Sequence, residues 1–296
     1  MRRIGVILLV VWVGVPVFAQ TGLRGMSLNG STGLFSIPSG RIGWERVSDM
    51  GLDVGYHALI NDEKAAHIPA LTFSFFKWVE FSVAFDVQPD MDWRKREAPF
   101  ASVTQRNDDL LLGLKVQLPT NVRNDRNPAI ALGTNVQLIN IADNDNGMAG
   151  EPVYNYTAIQ IYAAATYAGS FFSFPAETTV VMGKTFYGGG PSNNSDIDFG
   201  MGFDMVLFPD IIGNYVHWII DFANFDYNDN SWPNALTHGY GPSWNRGILN
   251  TGLRIDMAAL PELSKFKLAF DIIFNDLFDD GHRSFTLGMV FGLPIM

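Results

Sequence analysis

Residues 196–207 read DIDFGMGFDMVL. The odd positions are all apolar, from Ile197 through Phe203 to Leu207, whereas the even positions hold three aspartates, two glycines and a valine. Side chains of a β-strand point alternately to its two faces, so this period of two predicts a strand with one apolar and one polar face. Alternation over about ten residues is typical of a strand that crosses a membrane.

The same alternation recurs from Gly51 to the C-terminus. It predicts about twelve strands, with ten or fourteen as the other possibilities, near residues 51–60, 67–77, 79–88, 108–118, 129–141, 154–168, 176–187, 196–208, 214–224, 245–257, 264–274 and 282–293. An even number of antiparallel strands closes into a barrel with both ends of the chain on one side of the membrane. The predicted fold is therefore an all-β, transmembrane, antiparallel up-and-down β-barrel, with the longer connections on the outer side.

Composition narrows the alternatives. The chain is 47% hydrophobic with a mean hydropathy of +0.09, yet no apolar stretch after the N-terminal region reaches the roughly 20 residues of a membrane-spanning helix. In lipid, only helices and closed barrels satisfy every backbone polar group. A soluble periplasmic β-sandwich is the remaining alternative, and it would need the apolar faces to pair as two buried sheet layers.

The N-terminus predicts export. Arg2 and Arg3 precede an apolar run that ends near Val15, and the small-residue pattern that ends at Ala19 follows, which is the order of a cleavable signal peptide. The predicted divisions are a signal peptide at 1–19, a periplasmic or lumen-plugging segment at 20–50, and a barrel domain at 51–296. The chain has no cysteine, so no lipid anchor is expected at the cleavage point. The predicted location is the outer membrane of a diderm bacterium.

The charge of the chain excludes one class of partner. The formal net charge is −10, and it becomes −12 when the two arginines of the signal are removed. An acidic chain lacks the basic surface that binds nucleic acid. The expected partners are outer-membrane lipid, the barrel assembly machinery, and a polysaccharide or small solute.

Two further patterns agree with an outer-membrane barrel. Aromatic residues cluster near the predicted strand ends, as in interfacial girdles, although ordinary β-core packing also favours them; they include Phe76, Trp78, Phe171, Phe172, Phe174, Phe208, Phe225, Tyr227 and Trp244. The last strand carries Thr286, Gly288, Phe291 and Leu293. Their spacing resembles the signal that the barrel assembly machinery recognises, and it predicts an assembly signal.

Residues 30–40 read GSTGLFSIPSG. They resemble the opening motif of the YjbH-type, exopolysaccharide-associated outer-membrane proteins, and the chain would be a short, single-barrel relative of that family. The resemblance implies a barrel linked to surface polysaccharide production. Gly33, Pro38 and Gly40 would equally suit a turn before the first strand.

Searches for catalytic and metal-binding patterns indicate no enzyme, no metal and no cofactor. His57 with Asp53, and His217 with Asp221, have the spacing that places a base and a carboxylate on one strand face, but a polar network in the lumen is the favoured interpretation. Residues 143–147, DNDNG, have oxygen ligands suited to calcium but lack the later glutamate of an EF-hand loop.

The predicted inward face provides the candidate functional residues, which are Asp53, Asp86, Lys115, Lys184, Asp198, Asp204, His217, Asp221, Arg254, Lys267 and Asp271. In a water-filled lumen, rings of carboxylates would favour cations. Alternatively, the charges pair across a narrow lumen and close it.

Two functions follow from these alternatives. The first is a narrow channel, or a barrel that assists transport of small or extended polar solutes. The second is a closed structural or adhesive barrel that acts through its surface loops, for which the candidates are Trp232, Tyr240 and Trp244.

Overall fold

The computed structural model describes residues 25–44, 48–60, 65–92, 104–119, 128–143, 155–188, 197–225, 227, 247–260, 263, 266–278 and 283–295. The barrel strands are β1 (Met50–Ile60), β2 (Ala65–Phe75), β3 (Val79–Asp92), β4 (Thr104–Gln117), β5 (Ala129–Asp143), β6 (Asn155–Phe171), β7 (Phe174–Gly188), β8 (Asp198–Val206), β9 (Val216–Ala223), β10 (Ile248–Asp256), β11 (Lys267–Asn275) and β12 (Ser284–Pro294). The helical elements of the described residues are a one-turn helix α1 (Pro209–Ile212) and a 3₁₀ turn (Met257–Ala259).

The twelve strands form one closed antiparallel barrel. Each strand pairs with its neighbours in sequence, and β1 also pairs with β12 in a register that runs from Gly51 opposite Pro294 to Ile60 opposite Phe285. Closure gives each of the twelve described strands a neighbour on both sides, as a sheet in lipid requires. The predicted fold class and strand count are confirmed, and each strand lies within a few residues of its predicted position.

Burial alternates along the strands because one face points into the lumen and the other points outward. Large apolar side chains cover the outward face, and Leu132, Ile161 and Met182 are 52%, 58% and 55% exposed, respectively. The inward face of the same strands carries many polar and charged residues, most of them buried. An apolar exterior around a polar interior is the arrangement of a membrane barrel. The soluble sandwich is wrong, since its apolar faces would be buried.

The two ends of the barrel differ in their connections. Tight turns at 76–78 and 172–173 join β2 to β3 and β6 to β7, whereas residues 224–247 join β9 to β10. Short turns face the periplasm in outer-membrane barrels. We call the end that holds the tight turns the inner end, and the opposite end the outer end.

No helix in the described part of the chain is long and apolar enough to cross a membrane.

Phenylalanines occupy strained positions in the inner connections. Phe76, Phe172 and Phe208 have φ values of 52°, 47° and 48° and are 68%, 81% and 52% exposed. The left-handed conformation costs a residue other than glycine about 1 to 2 kcal/mol. These exposed rings suit the interface between lipid and water.

Two of the predicted girdle residues lie elsewhere. Phe225 and Tyr227 are only 8% and 7% exposed, because the chain after β9 turns into the lumen. The girdle interpretation is wrong for this pair. Trp244 lies outside the described residues.

Candidate functional site

The lumen contains residues 25–44, which we call the inner segment. Isolated bridges join Met26 to Thr32 and Gly33 to Pro38, and backbone hydrogen bonds such as Leu28 N–H to Phe35 O, at 2.8 Å, fold the segment on itself. The tight turn at Gly30, whose φ is +86°, requires glycine. Every residue of the inner segment is buried. The motif at 30–40 therefore lies inside the barrel and forms more than a turn before β1.

Asp221 of β9 binds the tip of the inner segment. Its carboxylate accepts hydrogen bonds from Phe35 N–H at 2.9 Å, Ser36 N–H at 2.7 Å and the Ser36 hydroxyl at 3.0 Å. Asn250 of β10 donates a fourth bond to it at 3.0 Å. Bonds to an ionised acceptor are about twice as strong as neutral ones. Asp221 is therefore a principal anchor of the segment.

Arg254 of β10 forms a second anchor. Its guanidinium makes a bidentate pair with Asp271 at 2.7 and 3.0 Å. The same group donates to Gly33 O at 3.1 Å and Met26 O at 3.0 Å, and it lies 5.5 Å from the centre of the Phe35 ring. The guanidinium of Arg254 therefore contacts one carboxylate of the wall, and two carbonyl groups and one aromatic ring of the inner segment.

A third anchor lies near the inner end, where the segment leads towards β1. Asp53 accepts a hydrogen bond from the Trp44 indole N–H at 2.8 Å and pairs with Lys267 Nζ at 2.5 Å. The Lys267 ammonium also lies 5.3 Å from the centre of the Trp44 ring. Trp44 is 1% exposed, so this contact seals a large side chain against the wall.

Two further ion pairs hold the middle of the segment. Glu80 of β3 pairs with Lys115 of β4 at 3.0 Å; its carboxylate accepts from Thr32 N–H at 2.7 Å, and Lys115 donates to Thr32 O at 2.8 Å. Arg41 of the segment pairs with Glu177 of β7 at 3.3 Å. Because all four charged groups are buried, each depends on its partner to offset desolvation.

Inward-facing glycines make room for the segment. A Cβ added at Gly202 would lie 2.5 Å from Leu34 Cδ1, and one added at Gly200 would lie 2.8 Å from Ile37 Cγ2. Both glycines belong to the alternating stretch 196–207, where their lack of a side chain matches the apolar tip of the segment. Strand and segment are therefore complementary in shape as well as charge.

A second group of polar residues fills the outer half of the lumen. We call Asn135, Gln137, Gln160 and Asp198 the outer cluster, and Tyr227 lies among them. The Tyr227 hydroxyl accepts from Asn135 Nδ2 at 2.6 Å and donates to Gln160 Oε1. Gln137 donates to the Tyr227 carbonyl at 3.0 Å. The chain that follows β9 is thus fixed to the barrel wall at its outer end.

The structure places all the predicted lumen residues except Lys184 on the inward face. Lys184 is opposite Ile161, which is 58% exposed, in the β6–β7 register, so it lies on the outward face. The lumen prediction is wrong for Lys184. Both faces of β7 mix polar and apolar residues, and Val181 points inward, so the alternation of polarity there is weak.

The predicted histidine–carboxylate pairs are also rearranged. His217 Nδ1 lies 2.6 Å from Asp204, on the neighbouring strand, and His57 Nε2 lies 3.5 Å from Asp271. Neither histidine is paired with the carboxylate on its own strand. Asp204 lies on the strand next to His217, where cross-strand neighbours are closer than residues four positions apart. Asp271 lies two strands from His57, and both are opposite Gly288 of β12, which has no side chain to separate them. These pairs belong to the polar network of the lumen.

Sequence reasoning missed Glu80, Glu177 and Arg41. Glu80 shares its strand face with Asp86, and Glu177 shares its strand face with Thr179. The alternation along β3 and β7 could therefore have predicted that both glutamates face the lumen. Nothing periodic marked Arg41, which lies in the inner segment.

The remaining predicted residues have mixed outcomes. Thr286 and Gly288 point inward on β12, whereas Phe291 and Leu293 point outward and are 40% and 38% exposed; their recognition by assembly machinery stays a prediction. Trp232, Tyr240 and Trp244, the signal peptide and residues 144–147 lie outside the described ranges. Within those ranges, no group of three or more histidines and carboxylates is placed to hold a metal ion.

No protein-family model and no curated protein matches this sequence. Solved structures with a similar fold include the translocator domain of autotransporter NalP from Neisseria meningitidis, with 8% identity over 84% of this chain and 89% of that chain and a TM-score of 0.45. LpxR from Salmonella typhimurium is 11% identical over 83% of this chain and 100% of that chain, with a TM-score of 0.44. The KdgM porin in complex with disordered oligogalacturonate is 6% identical over 82% of this chain and 99% of that chain, with a TM-score of 0.41.

At these scores the likeness carries no functional argument, and the class follows from the molecule itself. A closed twelve-stranded barrel with an apolar exterior and a polar interior is a transmembrane β-barrel. More particularly, this chain is an outer-membrane β-barrel protein of a Gram-negative bacterium.

Proposed function

We propose that this protein is a gated outer-membrane channel for small or extended polar solutes, and that the inner segment is its gate. The observation that carries the proposal is the charged lumen wall, which includes Asp53, Glu80, Glu177, Arg254 and Asp271. Within the described part of the chain, their partners include other wall residues and the inner segment. Release of the segment would expose a polar bore.

The charge of the wall supports a state in which the lumen is wet. Replacing a buried ion pair with packed hydrophobic residues is often neutral or stabilising by about 1 to 4 kcal/mol. A barrel that stayed filled at all times would gain nothing in stability from so many lumen charges. A bore that opens to water needs them, since hydrated charges remove the cost of wetting an apolar wall.

The open channel would favour cations. Arg41 belongs to the inner segment, so its departure would leave Glu177 without that partner. Asp221 would lose its backbone donors at the same time. Carboxylates that line a pore attract cations and repel anions.

The resemblance of residues 30–40 to the YjbH-type opening motif supports surface polysaccharide as the setting for this transport. The motif at residues 30–40, which forms the proposed gate, would then be the part that this chain shares with the YjbH-type proteins. A transport role of this kind requires lipid and assembly machinery as partners, and no catalysis.

A closed structural or adhesive barrel is the second candidate. The density of pairing between segment and wall favours it, since five ion pairs or charged anchors hold twenty residues in place. In that case the surface loops would carry the function.

Conductance of the refolded full chain in a planar bilayer separates the two. We expect rare cation-selective openings, which become frequent in Asp221→Asn because its anchor is weakened. Asp210→Asn, the same substitution at an exposed position on α1, is the matched control and should behave as the unaltered chain. If none of the three proteins conducts ions although circular dichroism shows an intact barrel, the closed structural or adhesive barrel is the better assignment.

A further inference from the structure

We propose that the outer cluster is a binding site for a neutral polyhydroxylated solute, such as an oligosaccharide, and that Tyr227 occupies this site as a built-in competitor. The inference rests on the proposed channel and names its solute class. It also makes the outer end a second point of control, separate from the inner segment.

The Tyr227 hydroxyl is bound in the manner of a sugar hydroxyl. It accepts a hydrogen bond from Asn135 Nδ2 and donates one to Gln160 Oε1. A hydroxyl can do both at once, whereas an ammonium only donates and a carboxylate only accepts. The pair of amides on β5 and β6 is therefore matched to a group that is donor and acceptor together.

Asp198 fixes the orientation of this receptor. Its carboxylate accepts from Gln160 Nε2 at 2.8 Å and from Thr185 Oγ1 at 2.5 Å. Because an ionised carboxylate only accepts, the NH₂ group of Gln160 must face it. The Gln160 carbonyl is then left to accept from Asn135 Nδ2 at 3.2 Å and from the Tyr227 hydroxyl. Asp198 is thus a positioning residue, and the acceptor for a solute hydroxyl is preset.

Gln137 extends the site by one residue. Its Nε2 donates both to Asp109 at 2.8 Å and to the Tyr227 carbonyl at 3.0 Å. A second solute oxygen would replace that carbonyl. Asn135 and Gln160 lie on neighbouring strands, opposite each other in the register, so the wall presents a row of amides to an extended chain of hydroxyl groups.

The charge at the site selects against acidic sugars. Asp109 and Asp198 both hold the amides in place from behind, and a solute carboxylate would lie near two like charges. Neutral oligosaccharides carry no such penalty. An aromatic neighbour is also present, since the Phe225 ring packs edge-on against Tyr227 at 5.6 Å between centroids, and aromatic faces stack on sugar rings.

The test is isothermal titration of the detergent-folded full chain with maltohexaose, and with hexagalacturonate as its acidic counterpart. Tyr227→Phe removes the competing hydroxyl and its two hydrogen bonds, so it should bind maltohexaose roughly tenfold more tightly than the unaltered chain. Gln160→Met in the Tyr227→Phe background should abolish the binding. The matched control is Tyr56→Phe, which removes a hydroxyl from the outward face and should change nothing.

The inference would be overturned if Tyr227→Phe bound maltohexaose no better than the unaltered chain, or if Gln160→Met left the binding intact. Tighter binding of hexagalacturonate would overturn the neutral class. Titration needs no current through the barrel. If the barrel binds maltohexaose but never conducts ions, the proposed channel is refuted and the binding site stands. If it conducts ions but never binds maltohexaose, the binding site is refuted and the channel stands.

Discussion

Substitution of Asp221 by asparagine should release the inner segment without unfolding the barrel. The carboxylate accepts four hydrogen bonds, three from residues 35 and 36 and one from Asn250. Asparagine keeps one oxygen and replaces the other with an NH₂ group, which cannot accept. Whichever way the amide turns, its NH₂ group meets donors, and the remaining bonds lose their ionic character.

The magnitude follows from these bonds. Net contributions are about 1.5 to 3 kcal/mol for a hydrogen bond to a charged group and about 0.5 to 1.5 kcal/mol for a neutral one. Loss of one bond and weakening of the others should therefore cost about 2 to 4 kcal/mol of segment binding. That shifts the equilibrium between bound and released segment by roughly 30- to 700-fold.

Cysteine labelling measures the shift directly, because the chain contains no cysteine of its own. Ser39→Cys places a thiol on the inner segment at a position that is 6% exposed. Its labelling by a soluble maleimide should accelerate by the same factor when Asp221→Asn is added, since reaction of a protected group tracks the population of the released state. Asp210→Asn should leave the rate unchanged. Equal rates in all three backgrounds, with unchanged circular dichroism, would refute the anchoring role of Asp221.

Three further substitutions test the rest of the architecture. Arg254→Met should destabilise the barrel by about 3 to 5 kcal/mol because it removes the guanidinium that makes the bidentate pair with the buried Asp271. Urea unfolding should detect this, and adding Asp271→Leu should restore most of the loss if the ion pair is the cause. Leu132→Arg puts a charge on the outward face between Val116 and Ala163. It should cost about 2 to 4 kcal/mol or prevent assembly, and normal refolding yield would mean that this face does not contact lipid. Gly200→Ala should push Ile37 away, because the added Cβ would lie 2.8 Å from Ile37 Cγ2. The labelling rate of a cysteine at residue 39 should therefore rise, while the melting temperature of the barrel stays unchanged. An unchanged labelling rate would show that the inner segment adapts to the added methyl group.

The sequence by itself determined the fold class because strand formation in a barrel is a local, periodic property. In residues 196–207, the alternation of apolar and polar residues predicts which side chains face lipid. The number of such stretches in the sequence predicts the number of strands. Local composition also placed Asp53, Asp221 and Arg254 on the inward face. The prediction failed where polarity alternates weakly, as at Lys184.

The contents of the lumen were decided only by the tertiary structure. The carboxylate of Asp221 and the backbone N–H of Phe35 are 186 positions apart in the chain, and no period relates them. Residues 30–40 carry no strand pattern, so the sequence left open whether they lie in the periplasm or fill the barrel. Tyr227 likewise reads as a girdle aromatic until the barrel closes. Only closure brings Gln160 and Asn135 within reach of its hydroxyl, because hydrogen-bond partners that face one another across a lumen are fixed by the geometry of the whole sheet.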